Sequence, residues 1–324
     1  MKRVNGLYEK LCNRDNISRA FACAMKNKPH YKDVRAIKKD TEKYIDILHD
    51  MLINKTFKNG KYEVITRNSG GKIRIIHKLP FFPDRVVHHC IIQVVSDIWI
   101  KNLIYDTYST VPGRGPHFGG EIIKKAVLDI EGAKYCLKLD IKKYYPSIDN
   151  QILKTIIRRK IKDHDFLWLL DEIIDSAEGV PIGNYVSQWF GNLYLSYFDH
   201  WVKETLRCKY YFRYCDDLVL LAADKQTLWN WLDQIRAYLG DRLKLQIKEN
   251  YSLFPVKVRG IDFLGYRYFP GYTLVRKRIV KAMKQNLDDP KSKTSYFGWL
   301  IHANSFRLTS KYYSEEDYFK RRVA

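Results

Sequence analysis

The chain has 324 residues, 46% of them hydrophobic, which is ample for a large core shared by two or three subdomains. Its 57 Lys and Arg against 36 Asp and Glu leave a net charge of +21, an excess that favours a polyanionic partner, because each phosphate neutralised releases a condensed counterion. Six cysteines without a C-x-x-C pair, no apolar run of ~18 residues, and no apolar stretch behind Met1-Lys-Arg-Val argue against a zinc ribbon, a membrane span and a signal peptide, so a reducing, cytoplasmic setting is expected. The 24 tyrosines, interleaved with Lys and Arg, suit base stacking beside backbone contact.

In chain order, a first helix is expected to end near Lys26-Asn27-Lys28-Pro29. A second spans Asp33 to Leu52, where Val34, Ile37, Tyr44, Ile45, Leu48 and Leu52 recur at helical spacing. Tyr62-Glu-Val-Ile-Thr, a turn at Asn68-Ser-Gly-Gly71 and Lys72-Ile-Arg-Ile-Ile76 read as a β-hairpin whose returning strand carries Lys72 and Arg74 on one face. Pro83-Asp84 opens a helix, with Asp84 as its cap and Val86, Val87, Cys90, Ile91, Val94, Val95 and Ile98 as its buried face. Tyr108 to Gly120 reads as a glycine-rich loop.

Tyr135, Leu137 and Leu139 alternate as a strand that ends at Asp140. Asp149 caps a helix carrying Ile152, Leu153, Ile156 and Ile157, and another helix runs from about Ser187 to Lys203. Two short strands, 209–213 and 218–221, flank a bend at Tyr214-Cys-Asp-Asp217. A helix with Leu228, Trp231, Leu232, Ile235 and Leu239 follows, and then a strand at 243–247. Strand, helix, strand, strand, helix, strand is the split βαβ, or ferredoxin-like, order.

In such a sheet the first and third strands are neighbours, so Asp140 meets Asp216 and Asp217 at one edge. Three carboxylates there repel one another and raise each other's pKa unless a cation intervenes. Hard oxygen ligands suit Mg²⁺, and a pair of such ions clamps the attacking and leaving oxygens of an in-line phosphoryl displacement.

Phe212-Arg-Tyr214-Cys-Asp-Asp217-Leu-Val-Leu resembles the Y-x-D-D core of reverse transcriptases, and Lys138-Leu-Asp140-Ile-Lys-Lys-Tyr-Tyr145-Pro-Ser-Ile148 resembles their first catalytic motif. Lys72-Ile-Arg74 with Asp84-Arg-Val-Val-His-His89 is similar to the fingers segments that hold the incoming triphosphate. Phe263-Leu264-Gly265-Tyr266 is similar to the primer grip, and Gly298-Trp-Leu-Ile-His-Ala303 to a thumb segment of bacterial and phage relatives. Group II intron and retron enzymes typically read Q-G-x-x-x-S-P at the nucleotide-pocket helix. Here the sequence is Ile182-Gly183-Asn-Tyr-Val-Ser187-Gln188, which resembles the reverse transcriptases of diversity-generating retroelements. The loop Ser109-Thr-Val111-Pro-Gly-Arg114-Gly-Pro-His117 fits the relatives' R-P-x-[KR]-G-x-H except that Val111 replaces the Arg.

The resemblance implies an α+β right-hand polymerase: an N-terminal helical segment over 1–60, fingers over 61–132, a ferredoxin-like palm over 133–270 with 182–205 at the fingers junction, and a short helical thumb over 271–324. Asp140, Asp216 and Asp217, with the Ile141 carbonyl, hold two Mg²⁺ ions, for which Mn²⁺ can substitute. Lys72 and Arg74 neutralise the triphosphate, Tyr145 walls the sugar pocket, and Ile182, Gly183 and Gln188 line the nucleotide site. Lys248 is a candidate general acid, with Lys244 competing. His88, His89 and His302 read as packing or capping residues. The implied activity is RNA-directed DNA synthesis, error-prone at template adenines. Its partners are a structured template RNA, the primer or cDNA strand, dNTPs and a small basic accessory protein. Retron, CRISPR-associated and phage-defence reverse transcriptases are the alternatives, and a non-catalytic nucleic-acid-binding protein on the same fold is a further one. No nuclease or integrase domain is expected after the thumb.

Overall fold

The computed structural model describes residues 3–69 and 72–314. They form two compact units, each drawn from separate stretches: Met1–Tyr105, Ile141–Trp201 and Ala237–Gln246 in one, and Asp106–Asp140, Val202–Arg236 and Ile247–Ala324 in the other.

The first unit begins with helices Leu7–Cys12 and Arg14–Met25, the second capped by Asn13. The single helix expected from Asp33 to Leu52 is broken in two, Lys32–Lys39 and Thr41–Ile53. Asp40 leaves helical geometry at φ −153° and accepts the Lys43 N–H at 3.2 Å. A short acidic side chain competes with the helix ladder for a backbone donor, and here it wins a cap. The hairpin forms, with β1 Glu63–Ser69 antiparallel to β2 Lys72–Lys78 and Arg67 directly opposite Arg74. Asn68 and Ser69, expected in the turn, instead pair with Ile73 and Lys72, and Gly70 and Gly71 lie outside the described residues.

Asp84 does not cap the following helix, Val86–Ile100. Its carboxylate is fully buried, accepts the Gly60 N–H at 2.7 Å and is pushed above the usual carboxylate range by burial. The buried face of that helix uses His88 and Trp99 in addition to Val86, Val87, Cys90, Ile91 and Val95, while Val94 and Ile98 are only half-buried. Asp149 caps Asn150–Arg158 as expected, accepting from the N–H groups of Gln151 and Ile152 at 2.9 and 3.0 Å. The helix expected over 187–203 is two, Ser187–Tyr194 and Ser196–Glu204. The buried Ser196 hydroxyl donates to the Leu193 carbonyl at 2.7 Å, replacing part of the ladder at the break.

In the second unit, β3 Tyr135–Asp140, β4 Tyr210–Tyr214, β5 Asp217–Ala222 and β6 Ser252–Pro255 form a sheet in the order β4-β5-β3-β6, every pair antiparallel. This is the ferredoxin-like arrangement, with the first and third strands at the centre. The fourth strand is not 243–247: helix Lys225–Leu243 runs through Leu243, and the ladder with β3 begins at Ser252. Leu243, Leu245 and Ile247 are buried. Leu243 still belongs to that helix; beyond it the chain makes a bridge at Ile247, with the Lys142 N–H donating to the Gln246 carbonyl and the Lys248 N–H to the Asp140 carbonyl, both at 2.8 Å. The alternation thus reflects burial with too little pairing to make a strand. The loop expected to reach Gly120 stops at Gly115, because Pro116 starts a helix, Pro116–Ala126, in the position that needs no N–H donor.

A second sheet, β7 Ile261–Phe263, β8 Tyr266–Phe269 and β9 Tyr272–Val275, shares its core with β3, β4 and β5 through Cys136, Phe212, Val219, Phe263, Tyr266 and Tyr268. Helices Lys277–Gln285, Pro290–Leu300 and Phe306–Tyr312 follow, with Met283, Phe297, Leu300 and Tyr313 as their small core. No described helix is long and apolar enough to cross a membrane.

Candidate active site

Asp140 closes β3, Asp217 opens β5, and the two are direct partners across the central strands. Tyr214 of β4 is the other partner of Asp217, so Cys215 and Asp216 form a two-residue turn between β4 and β5. Apolar alternation explains the placement: Leu137 and Leu139 are buried in β3, as are Leu218 to Leu221 in β5, and the polar residues fall where the strands leave the core.

The carboxylates lie in a basic setting. Lys138 Nζ pairs with Asp217 Oδ2 at 3.2 Å and donates to the Asp262 carbonyl at 2.6 Å. Lys248 Nζ donates to Asp140 Oδ1, and the Lys248 N–H donates to the Asp140 carbonyl at 2.8 Å. Burial pushes the Asp217 carboxyl up to about 6; Lys138 opposes the rise, while Asp140 and Asp216 add to it. Asp217 Oδ1 is buried with no hydrogen-bond partner.

Among the described residues no three His, Cys, Asp or Glu side chains gather closely enough to hold a metal ion. Two of the carboxylates are instead neutralised by ammonium groups. The donor set nevertheless fits a hard divalent cation, because an unpartnered, buried carboxylate oxygen beside a second carboxylate is what such an ion coordinates. Lys244, the competing lysine, pairs with the helix-capping Asp149 at 2.6 Å, whereas Lys248 is the one beside Asp140. Ile141 follows Asp140 with its side chain fully buried.

The remaining sequence-selected residues fall into local groups. Phe263 and Tyr266 are paired across the turn Leu264-Gly265, and the Tyr266 hydroxyl lies 3.1 Å from both His117 Nδ1 and the Trp299 carbonyl. His302 stacks on His117 with ring centroids 4.0 Å apart, a packing role, as is that of His88 in the core and of His89 stacked on Tyr185 at 4.1 Å.

In the first unit Tyr145 begins a short 3₁₀ turn and its carbonyl accepts the Val180 N–H at 2.9 Å. Its ring lies against Gly191, where an added Cβ would come within 3.0 Å of Cε1, and the Tyr144 hydroxyl donates to the Gly191 carbonyl. Gly191 escaped sequence reasoning. Its signal was a glycine inside an apolar helix, which costs stability unless something packs against the bare backbone. The Ile182 carbonyl accepts the His77 N–H of β2 at 2.7 Å. Gly183 holds φ +131°, and a Cβ there would collide with the His77 carbonyl oxygen. The close approach at this glycine is therefore made by the hairpin backbone. Gln188 is exposed on the first turn of its helix. Lys72 stands on β2, its side chain outside the described residues, and Arg74 is exposed. Arg67, directly opposite Arg74, was not foreseen; like charges facing each other across a ladder are unfavourable without an anion.

Residues 65–268 match the family described as reverse transcriptase (RNA-dependent DNA polymerase). Over 285 residues the chain is 25% identical to protein YkfC of Escherichia coli, covering 72% of each. It is 20% identical over 297 residues to the group II intron-encoded protein LtrA of Lactococcus lactis, covering 69% of this chain and 49% of that one. In fold it is similar to apo telomerase from Candida tropicalis truncated of its C-terminal domain, with a TM-score of 0.52 and 14% identity over 68% of this chain and 55% of that truncated chain. It thus spans about half the length of LtrA and of that telomerase. With the family match running from β1 to β8, through both strands that bear the paired carboxylates, the chain belongs to the reverse transcriptase (RNA-dependent DNA polymerase) family.

Proposed function

We propose that this protein copies RNA into DNA. The observation that carries the reading is the direct pairing of Asp140 with Asp217 on the two central strands, with Asp216 in the adjoining turn. Asp140, Asp216 and Asp217, with the Ile141 carbonyl, are the groups that hold divalent metal. Mg²⁺ bound there supplies positive charge for the phosphate oxygens, and Mn²⁺ can take its place. Lys248 is the lysine poised to move a proton, since its Nζ already lies beside Asp140 whereas Lys244 serves a helix cap. Arg74, with Arg67 and Lys72, neutralises the triphosphate, a task suited to guanidinium forks. Tyr145 excludes a ribose 2′-hydroxyl. Ile182, Gly183 and Gln188 contribute to the nucleotide site, and Phe263 to Tyr266 hold the primer strand.

RNA as the template agrees with the net charge of +21. A Candida tropicalis telomerase of similar fold, with a TM-score of 0.51, has been solved with a fragment of telomeric RNA. A narrower reading follows from Ile182-Gly183 and Ser187-Gln188, whose pattern supports a mutagenic enzyme of a diversity-generating retroelement, working with its own structured RNA and a small basic accessory protein. The test is primer extension on an RNA template with dNTPs and Mg²⁺. Wild type should extend the primer, and Asp216→Asn should abolish extension while retaining RNA binding. Extension at the wild-type rate by Asp216→Asn would refute the assignment.

A further inference from the structure

The turn that carries Asp216 and Asp217 is held by a side chain with no role so far. Arg213 lies in β4 and is 0% exposed, a rare position for a group that stays charged at every ordinary pH. Its Nη1 donates to the Cys215 carbonyl at 3.1 Å. That carbonyl belongs to the middle peptide of the two-residue turn joining Tyr214 and Asp217. The middle peptide is the unit that flips in a tight turn, since types I and II, and their mirror images, differ by its orientation.

Cys215 holds φ at +53°, the left-handed region, where a residue with a Cβ is strained and glycine is not. The turn is therefore one that the sequence alone does not favour, and contacts must select it. The hydrogen bond from Arg213 is one such contact. The Cys215 thiol, 2.9 Å from the hydroxyl of the buried Ser109, is a second.

The strand that carries Arg213 is fixed in turn. β4 lies at the edge of its sheet, and residues 106–108 close that edge: the Arg213 N–H donates to the Asp106 carbonyl at 3.0 Å, and its carbonyl accepts from Tyr108 at 3.1 Å. Asp106 is itself held by the Tyr108 hydroxyl at 2.9 Å and by Lys203 Nζ at 2.8 Å. The guanidinium thus has a rigid base from which to hold a strained peptide.

We propose that Arg213 is a positioning residue for the polymerase reaction: it sets the Cys215–Asp216 peptide so that Asp216 and Asp217 keep the orientation catalysis requires. The proposal rests on the polymerase reading. Lysine cannot substitute, because a buried guanidinium directs several N–H groups along fixed lines, whereas an ammonium is a compact, strongly hydrated point donor.

The strain at Cys215 separates positioning from mere packing, because a packing defect at Arg213 is indifferent to the backbone preference of residue 215. Primer extension is measured for wild type, Arg213→Lys, Cys215→Gly and the double variant, with RNA affinity and thermal stability alongside. Arg213→Lys should lower kcat about tenfold, with KM for dNTP and RNA affinity nearly constant. Adding Cys215→Gly should restore most of that loss, since glycine adopts the positive φ without strain. Should Arg213→Lys fail to fold, Cys215→Val reports instead. It leaves Arg213 in place but puts a β-branched residue in the left-handed region, so kcat should fall while RNA affinity holds. Full kcat in Arg213→Lys, a loss that glycine does not relieve, or full kcat in Cys215→Val overturns the positioning role alone. No extension by wild type overturns the polymerase reading and this proposal together.

Discussion

Lys138 and Asp217 form an ion pair, Nζ to Oδ2 3.2 Å, at the place where Asp217 stands opposite Asp140. Lys138 and Asp140 are two residues apart on β3 and so share a face. One strand therefore presents Asp217 with a cation and a like charge together. Burial outweighs the lysine, since the carboxyl is pushed up to about 6 and Oδ1 has no partner. A second cation is what this carboxylate lacks. Mg²⁺ at ten times its Kd should then stabilise the fold by about 1.4 kcal/mol, through binding to the native state alone. Thermal melts with and without Mg²⁺ check this, and Asp140→Asn and Asp217→Asn should each lose the increment. An equal increment in the variants would place the ion elsewhere.

His88 should make the protein acid-sensitive. Burial, with His89 and Arg85 adding to it, pushes its imidazole down to about 3, and Nε2 is buried without a partner. In the unfolded chain the same group titrates near pH 6.5. Between those values the unfolded state binds a proton that the folded state refuses. The stabilisation is therefore complete above about pH 6.5 and is lost as pH falls toward 3, at up to about 1.4 kcal/mol per pH unit. His89, pushed down to about 4, adds a second such slope. Denaturant midpoints from pH 7 to 4 should fall more gently in His88→Gln, whose amide takes up no proton; an unchanged slope would mean that His88 is solvated.

Tyr145 and Gly191 form one device. The ring rests on the bare backbone of residue 191, and a methyl group there would press on both Tyr145 and Tyr144. If Tyr145 excludes the 2′-hydroxyl, Tyr145→Ala should raise ribonucleotide incorporation about tenfold or more while deoxynucleotide use persists. Gly191→Ala should instead raise KM for dNTP, because the ring is displaced and still present. Competition assays with mixed rNTP and dNTP pools separate the two. Unchanged discrimination in Tyr145→Ala would return the residue to packing.

What the sequence made legible, and what it did not, follows from how each residue is used. β3 was readable to its last residue because an apolar strand ending in a carboxylate has a period and a stop. The Asp140–Asp217 pairing followed from topology once the strand order was known. Asp40 and Ser196 were missed as breaks because each sits inside a pattern that still looks helical, and a single side-chain hydrogen bond decides the matter. Asp84 was misread as a cap because its partner, Gly60, lies far back in the chain. Arg213 and Gly191 gave no periodic signal at all: one is a charge buried against a turn, the other an absence of side chain.

Charge should govern RNA binding. Helix Lys277–Gln285 buries only Met283, and Lys277, Arg278, Lys281 and Lys284 are exposed along it. Plots of log K against log salt should be steep and linear, because phosphate contacts release counterions. If Lys281 meets a phosphate, Lys281→Ala should weaken binding to all sequences alike and reduce the slope by about 1. A flat plot for wild type would mean that the basic surface faces something other than nucleic acid.

Ile182 should govern fidelity if it lines the nucleotide site. Its carbonyl is held by the His77 N–H at 2.7 Å and the next residue abuts β2, so the backbone here is fixed and a substitution changes only what the half-buried side chain offers. Glutamine, which the group II intron and retron pattern places at this position, can hydrogen-bond an incoming nucleotide and favour a correctly seated pair. Isoleucine gives only apolar contact. Correct and incorrect pairs then lose the same anchor and differ less in transition-state binding, where about 1.4 kcal/mol is a tenfold change in discrimination. Ile182→Gln should therefore lower misincorporation, most visibly opposite template adenine, at modest cost in rate. Sequencing cDNA made by both versions from one template containing all four bases reads the effect directly. If wild type copies adenine as faithfully as the other bases, the mutagenic reading fails; if wild type is error-prone at adenine and the substitution changes nothing, the cause lies at another residue of the pocket.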